Sequence, residues 1–193
     1  AVSIFIENLG ILTVTAQPRK FEFPEVFSHI YTIGGISFNN MTLLTVGSAI
    51  VLMLLLTFFI KNTRLGKAMR ACAENIRVAR LMGIDINIVI ATAFAIGSAL
   101  AAVAGIMLGG QYGRIEPLMG FVPGLKAFVA AVFGGIGIIP GALIGGITIG
   151  VVETMVSGYA SSLYKDAVAF AILILVLLIK PSGLLGKNTR EKV

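Results

Sequence analysis

Residues Gly124–Ser157 read GLKAFVAAVFGGIGIIPGALIGGITIGVVETMVS, and whether they form one helix or two decides the topology of the chain. The run is apolar but is interrupted by GGIGIIPGA at Gly134–Ala142. Proline has no amide hydrogen and its ring collides with the preceding turn, so Pro140 does not suit a helix interior. The pattern predicts a split there into two short helices, Gly124–Ile138 and Gly141–Ser157. At 1.5 Å per residue each spans roughly 23–25 Å, short of a hydrocarbon core of about 30 Å. Such a pair is expected to border an aqueous cavity or to form a re-entrant hairpin.

Outward from this run the apolar character persists. The chain has 193 residues, of which 57% are hydrophobic and 12% charged, with a mean hydropathy of +0.98. A soluble domain carries about 25% charged residues. The fold class is therefore all-α, a polytopic helical membrane protein. Met41–Ile60 is a span without charge, Ile86–Leu108 is a second rich in Ala and Gly, and Lys165–Ile179 is the last, ended by Lys180-Pro181. Ala1–Thr15 is apolar but too short to cross, and no charged segment precedes it as in a signal peptide. It reads as part of a transmembrane helix, with N-terminal helices missing. Phe21–Asn40 is expected to be a loop with a short hairpin around Tyr31–Phe38, and Gly109–Pro123 and Gly158–Tyr164 to be loops. Trp is absent and only four Tyr occur, so the aromatic belts are thin.

Between the first two full spans lies a basic island, Lys61–Asp85, KNTRLGKAMRACAENIRVARLMGID. Its six basic and two acidic residues give a net +4, and the tail Lys180–Val193 has four basic residues and one acid, a net +3. The positive-inside rule assigns both to the cytoplasm. Four crossings between them satisfy this, provided that Gly124–Ser157 is split; a single helix would put the two segments on opposite sides. At 100° per residue the island reads as one amphipathic helix. Lys67, Arg70, Glu74 and Arg77 lie on one face, and Leu65, Ala68, Met69, Cys72, Ile76 and Ala79 on the other. Asn62 or Thr63 suits its start and Gly83 its end. Such a helix either lies at the lipid headgroups or docks a cytoplasmic partner, and spacing does not separate the two.

Other features narrow the chemistry. The basic residues flank spans, so the net charge of +6 reflects topology rather than nucleic acid. A single cysteine, Cys72, excludes an internal disulfide, and the one histidine, His29, forms no metal-ligand cluster. No catalytic set, HExxH or P-loop occurs. Gly97, Ala101 and Gly105, then Gly137, Gly141 and Gly145, then Gly146 and Gly150 recur every fourth residue, as close helix packing requires. Gly134, Gly135, Gly137, Pro140 and Gly141 also suit a hinge or a substrate route. Lys126, near the start of an inward helix, and Glu153, about 12 residues or roughly 18 Å along an outward one, fall at the same outer end. A charge within a span is usually paired, so an ion pair is expected, against Lys126 snorkelling alone.

The runs TRLGKAMRACAENIRVARLMGI, FAIGSALAAVAGIM, EPLMGFVPGLKAFVAAVFGGIGIIPGALIGGITIGVVE and KDAVAFAILILVLLIKPSGLLG, in that order, closely resemble the permease subunit of bacterial branched-chain amino acid ABC importers. The RACAEN and GLKAF forms are more similar to the LivH-type subunit than to its LivM-type partner. The resemblance implies one transmembrane permease domain in the inner membrane, with a cytoplasmic C-terminus and no cofactor of its own. It implies as partners a LivM-type permease, a periplasmic amino-acid-binding protein and two cytoplasmic ATPase subunits, which bind and hydrolyse Mg-ATP. It also implies that the island is an ATPase-coupling loop, similar to the EAA loop of other ABC importers, through Arg70, Ala71, Ala73, Glu74, Asn75, Ala79 and Gly83. A urea or short-chain amide importer is the rival within the class. An ion-coupled secondary transporter would need ionisable groups near mid-membrane, which these spans nearly lack. A passive channel would show no dependence on ATP, and a membrane enzyme would need a catalytic set.

Overall fold

Helices run where proline stays out of their interior, and they stop where a side chain or a glycine captures the backbone. The computed structural model describes residues 2–14, 17–21, 30–33, 36–159, 161–180 and 182–186. The elements in order are α1 (Val2–Val14), β1 (Arg19–Lys20), β2 (Ile30–Ile33), β3 (Ile36–Asn39), α2 (Asn40–Asn62), α3 (Arg64–Glu74), α4 (Ile76–Leu81), α5 (Ile86–Tyr112), β4 (Arg114–Ile115), α6 (Phe121–Gly134), α7 (Ile139–Tyr159), a 3-10 turn (Ser162–Tyr164) and α8 (Lys165–Ile179). Among the described residues, four helical stretches are long and apolar enough to cross a membrane: α2, α5, α7, and α8 with its preceding turn. The chain divides into two units, 1–118 and 119–193.

In the first unit, α2 begins where Asn39 Oδ1 accepts the amide of Met41 at 3.2 Å. It ends at Thr63, whose Oγ1 donates to Phe59 O at 2.7 Å and accepts from Gly66 N at 3.0 Å. One threonine therefore closes α2 and opens α3. Thr45, Ser48 and Leu52 of α2 and Leu100, Ala104 and Met107 of α5 line a cavity of about 200 Å³. β2 and β3 pair as an antiparallel hairpin, Tyr31 opposite Phe38, as the sequence leads one to expect; Gly34 and Gly35 lie outside the described residues. β1 pairs with β4, Arg19 opposite Ile115.

In the second unit, α6, α7 and α8 meet around Val129, Ala130, Ile149 and Ala169, with Phe133, Phe170 and Leu173 beside them. Among lipid tails, burial of such side chains gains little from water transfer, so close backbone packing matters more. A methyl group at Gly145 would run into the carbonyl oxygen of Ala130, and one at Gly134 into that of Gly141.

The split of Gly124–Ser157 occurs, but not at Pro140. α6 ends at Gly134, the turn runs through Gly135–Ile138, and Pro140 stands in the first turn of α7, where its missing amide has no partner to lose. With 21 residues, about 31 Å, α7 is membrane-length rather than short. Of the two helices in this run, α6 alone, with 14 residues and about 21 Å, falls short of the core. The expected loop Gly109–Pro123 is also trimmed: α5 runs to Tyr112 and α6 starts at Phe121. α7 likewise runs into the expected loop Gly158–Tyr164.

Candidate functional site

The basic island is not one helix. Lys61 and Asn62 belong to α2, and the remainder breaks at Asn75 into α3 and α4. Asn75 has an extended backbone, and its Oδ1 accepts the amides of Arg77 at 3.0 Å and Val78 at 3.1 Å. An asparagine that captures amides ahead of it starts a new helix instead of continuing the old one. α4 then closes in a Schellman arrangement. Gly83, at φ +79°, donates to Arg80 O at 3.0 Å, and Ile84 donates to Ala79 O at 3.2 Å. Asp85 Oδ1 accepts the amide of Asn87 at 2.9 Å and so starts α5.

These local bonds divide the seven predicted coupling residues. Asn75 and Gly83 set the two corners, and Ala79 is buried. Ala71 is half-buried, while Arg70, Ala73 and Glu74 are exposed on α3. The Arg70 guanidinium also reaches Lys61 O, at 3.4 Å, near the C-terminal end of α2, where a cation is favoured. Of the expected apolar face, Ala68, Met69 and Cys72 are half-buried and Ala79 is buried, but Leu65 on α3 and Ile76 on α4 are exposed. Arg64, Lys67, Arg77 and Arg80 are exposed as well. The segment therefore offers an exposed basic corner, with Glu74 its one acid before Asp85.

Gly66 is a residue that helical periodicity passes over. A methyl group there would meet Phe59 O and lie 2.5 Å from Ile60 Cα, so only glycine lets α3 fold back on α2. A glycine inside a helical pattern, otherwise costly by about 1 kcal/mol, was the available signal.

The glycine-rich turn of the second unit is locked by a second strand of chain. Gly135 and Gly137 take φ +112° and +87°, which non-glycine residues rarely adopt. Ser182–Gly186 returns against this turn. Leu184 N donates to Phe133 O at 2.8 Å and Leu185 N to Gly134 O at 3.2 Å, satisfying carbonyls left open at the end of α6. A methyl group at Gly183 would lie 2.5 Å from Gly135 Cα. Gly141 packs on Gly134, whereas a methyl group added at Gly97, Gly105 or Gly150 would meet no neighbouring group within 4 Å. Most of the basic tail, including Lys187, Arg190 and Lys192, lies outside the described residues, as do Ala1 and His29.

At the other end of α6–α8, Lys126 Nζ lies 2.9 Å from both carboxylate oxygens of Glu153 and 2.7 Å from Asp166 Oδ1. The lysine and Glu153 side chains are about one-fifth exposed, and Asp166 is nearly half exposed. One ammonium thus ties three helices at one point. The expected pair is in fact a triad: Asp166, which the charge pattern of the spans does not single out, opens the last span at the same end as the other two. Among the described residues no group of three or more His, Cys, Asp or Glu could hold a metal ion.

The family model described as "branched-chain amino acid transport system / permease component" matches residues 2–177. The chain belongs to this permease family. The permease LivH of Salmonella typhimurium is 47% identical over 197 residues, and LivH of Escherichia coli K12 is 46% identical over 197. BraD of Pseudomonas aeruginosa is 45% identical over 200 residues. All three alignments cover the whole of this chain, which spans 63–64% of the length of those relatives. A ribose import permease of Haemophilus influenzae is 30% identical over 125 residues, or 62% of the chain. No solved structure matches it. The match to LivH includes the basic corner, the glycine turn and the Lys126 cluster, so all three belong to a permease chain.

Proposed function

We propose that this chain is a pathway-forming permease subunit of an ATP-driven importer of branched-chain amino acids in a bacterial inner membrane. The observation that carries the reading is its 47% identity to LivH, a high-affinity branched-chain amino acid permease, along the whole chain. In this reading the Lys61–Asp85 segment and the C-terminus face the cytoplasm, because basic residues concentrate there. The Lys126 cluster faces outward, toward a periplasmic amino-acid-binding protein. A LivM-type permease completes the pathway, and two cytoplasmic ATPase subunits bind and hydrolyse Mg-ATP, while this chain performs no chemistry of its own.

Coupling runs through the basic corner. Arg70, Ala73 and Glu74 present small and charged side chains that suit a groove with directional ionic contacts. Asn75, Ala79 and Gly83 hold α3 and α4 at the angle at which that face is presented. A rotation of the groove would then move α2 and α5, which end and begin within a few residues of the corner. Uptake of leucine into vesicles carrying the assembled system tests the reading. Uptake that requires internal ATP and persists when ion gradients are collapsed is the expected outcome. Uptake driven by an ion gradient without ATP, or transport of urea or a short-chain amide but not leucine, would replace it.

A further inference from the structure

Glu153, Thr154, Ser157, Gly158 and Lys165 line an open cleft of about 410 Å³ beside the Lys126 cluster. Its polar groups are sorted by hydrogen-bonding sense. Thr154 Oγ1 donates its hydrogen to Gly150 O at 2.8 Å, which leaves the hydroxyl oxygen as an acceptor in the lining that Glu153 also joins. Three residues on, about 4.5 Å along α7, Ser157 shares a hydrogen bond of 3.2 Å with Ser162 of the following turn. Two hydroxyls use one hydrogen between them, so the pair keeps one to donate outward. Lys165 also lines the cleft and brings an ammonium to it. The lining thus offers acceptors in Glu153 and Thr154 and donors in the serine pair and Lys165.

The charges balance as well. Two lysines, Lys126 in the cluster and Lys165 in the cleft beside it, accompany two carboxylates, Glu153 and Asp166, so the region as a whole favours neither a net anion nor a net cation. Because Lys126 is shared between two carboxylates, at 2.9 and 2.7 Å, the Glu153 charge is only partly compensated and still attracts a cationic donor. We propose that this cleft is a subsite for the zwitterionic head of an α-amino acid, with its ammonium at Glu153 and Thr154 and its carboxylate at Lys165 and the serine pair. The proposal deepens the transport reading, on which it rests for the substrate class and for placing the cleft on the delivery side.

Saturation-transfer NMR on the full permease in lipid nanodiscs, with no soluble binding protein present, tests it with leucine as the probe. Leucine gives a saturable signal. Leucinamide, lacking the carboxylate, and 4-methylpentanoate, lacking the ammonium, bind at least tenfold more weakly. Lys165→Gln and Ser157→Ala, both outside the Lys126 ion cluster, weaken leucine by roughly tenfold for one charged or polar contact, and Lys165→Arg restores it. Equal signals from the three probes, or leucine binding unchanged in both Lys165→Gln and Ser157→Ala, would overturn the subsite. ATP-driven leucine uptake in the same preparations separates the two readings. If uptake is present but binding is indifferent to these variants, the subsite falls and the transport reading stands. If binding is selective but ATP drives no uptake, the subsite stands and the transport reading falls.

Discussion

Lys126 holds carboxylates from two neighbouring helices within 2.9 Å, and each is partly withdrawn from solvent. Replacing it with methionine leaves Glu153 and Asp166 without the ammonium that joins them. Removing one partner of a fully buried pair costs about 3–5 kcal/mol. Partial exposure of this cluster reduces the expected loss to about 1–3 kcal/mol. Thermal unfolding in detergent should show Lys126→Met clearly destabilised, and Lys126→Met combined with Glu153→Leu and Asp166→Asn largely recovered. At the glycines the expectation is set by space. Gly145→Ala forces a methyl group into the carbonyl oxygen of Ala130 and should destabilise by about 1–3 kcal/mol. Gly150→Ala, with nothing within 4 Å, should be neutral or slightly stabilising in the same melts. The sequence discloses Lys126 and Glu153 because a charge inside an apolar run demands a partner. Asp166 obeys the same counting, but an acid in a first helical turn is already accounted for by the helix dipole, so its local sequence raises no such demand. Gly145 and Gly150 share one motif spacing, and only the neighbouring backbone distinguishes them.

The apolar spans were the most legible elements, because a long run of uncharged apolar residues has few other folded fates. The breaks were less so. Periodicity carried one helix across Lys61–Asp85, since it registers side-chain polarity and not the capture of two amides by Asn75. Pro140 drew the boundary toward itself, although proline is at ease in a first turn and the actual turn belongs to Gly135 and Gly137. The return of Ser182–Gly186 onto the end of α6 joins residues some fifty positions apart in sequence, which no local pattern reports. That contact makes its own prediction. Gly183, at φ +76° and against the Gly135 backbone, does not accept a side chain. Gly183→Ala should release the segment, so hydrogen exchange at Leu184 and Leu185 should accelerate by tenfold or more while the middle of α7 stays protected. Unchanged exchange at those amides would show that the segment is held by something other than this glycine contact.

For the molecule as a whole, lipid-facing helices leave few places where water-soluble chemistry is possible. The exposed basic corner and the charged cleft are two of them, one in each unit. Assigning the first to ATPase coupling and the second to the substrate side yields a division of labour within one chain. In that account Asn75, Ala79 and Gly83 act by shaping the corner, while Arg70 and Glu74 make the contact. The most direct test is the ratio of leucine transported to ATP hydrolysed, measured in proteoliposomes of the assembled system. Glu74→Lys reverses a contact charge. Gly83→Pro imposes φ near −65° where +79° is needed and removes the amide that bonds Arg80 O. The account predicts that both variants insert and assemble normally, keep measurable ATP hydrolysis, and transport at least tenfold less leucine per ATP. Wild-type ratios in both variants would contradict it.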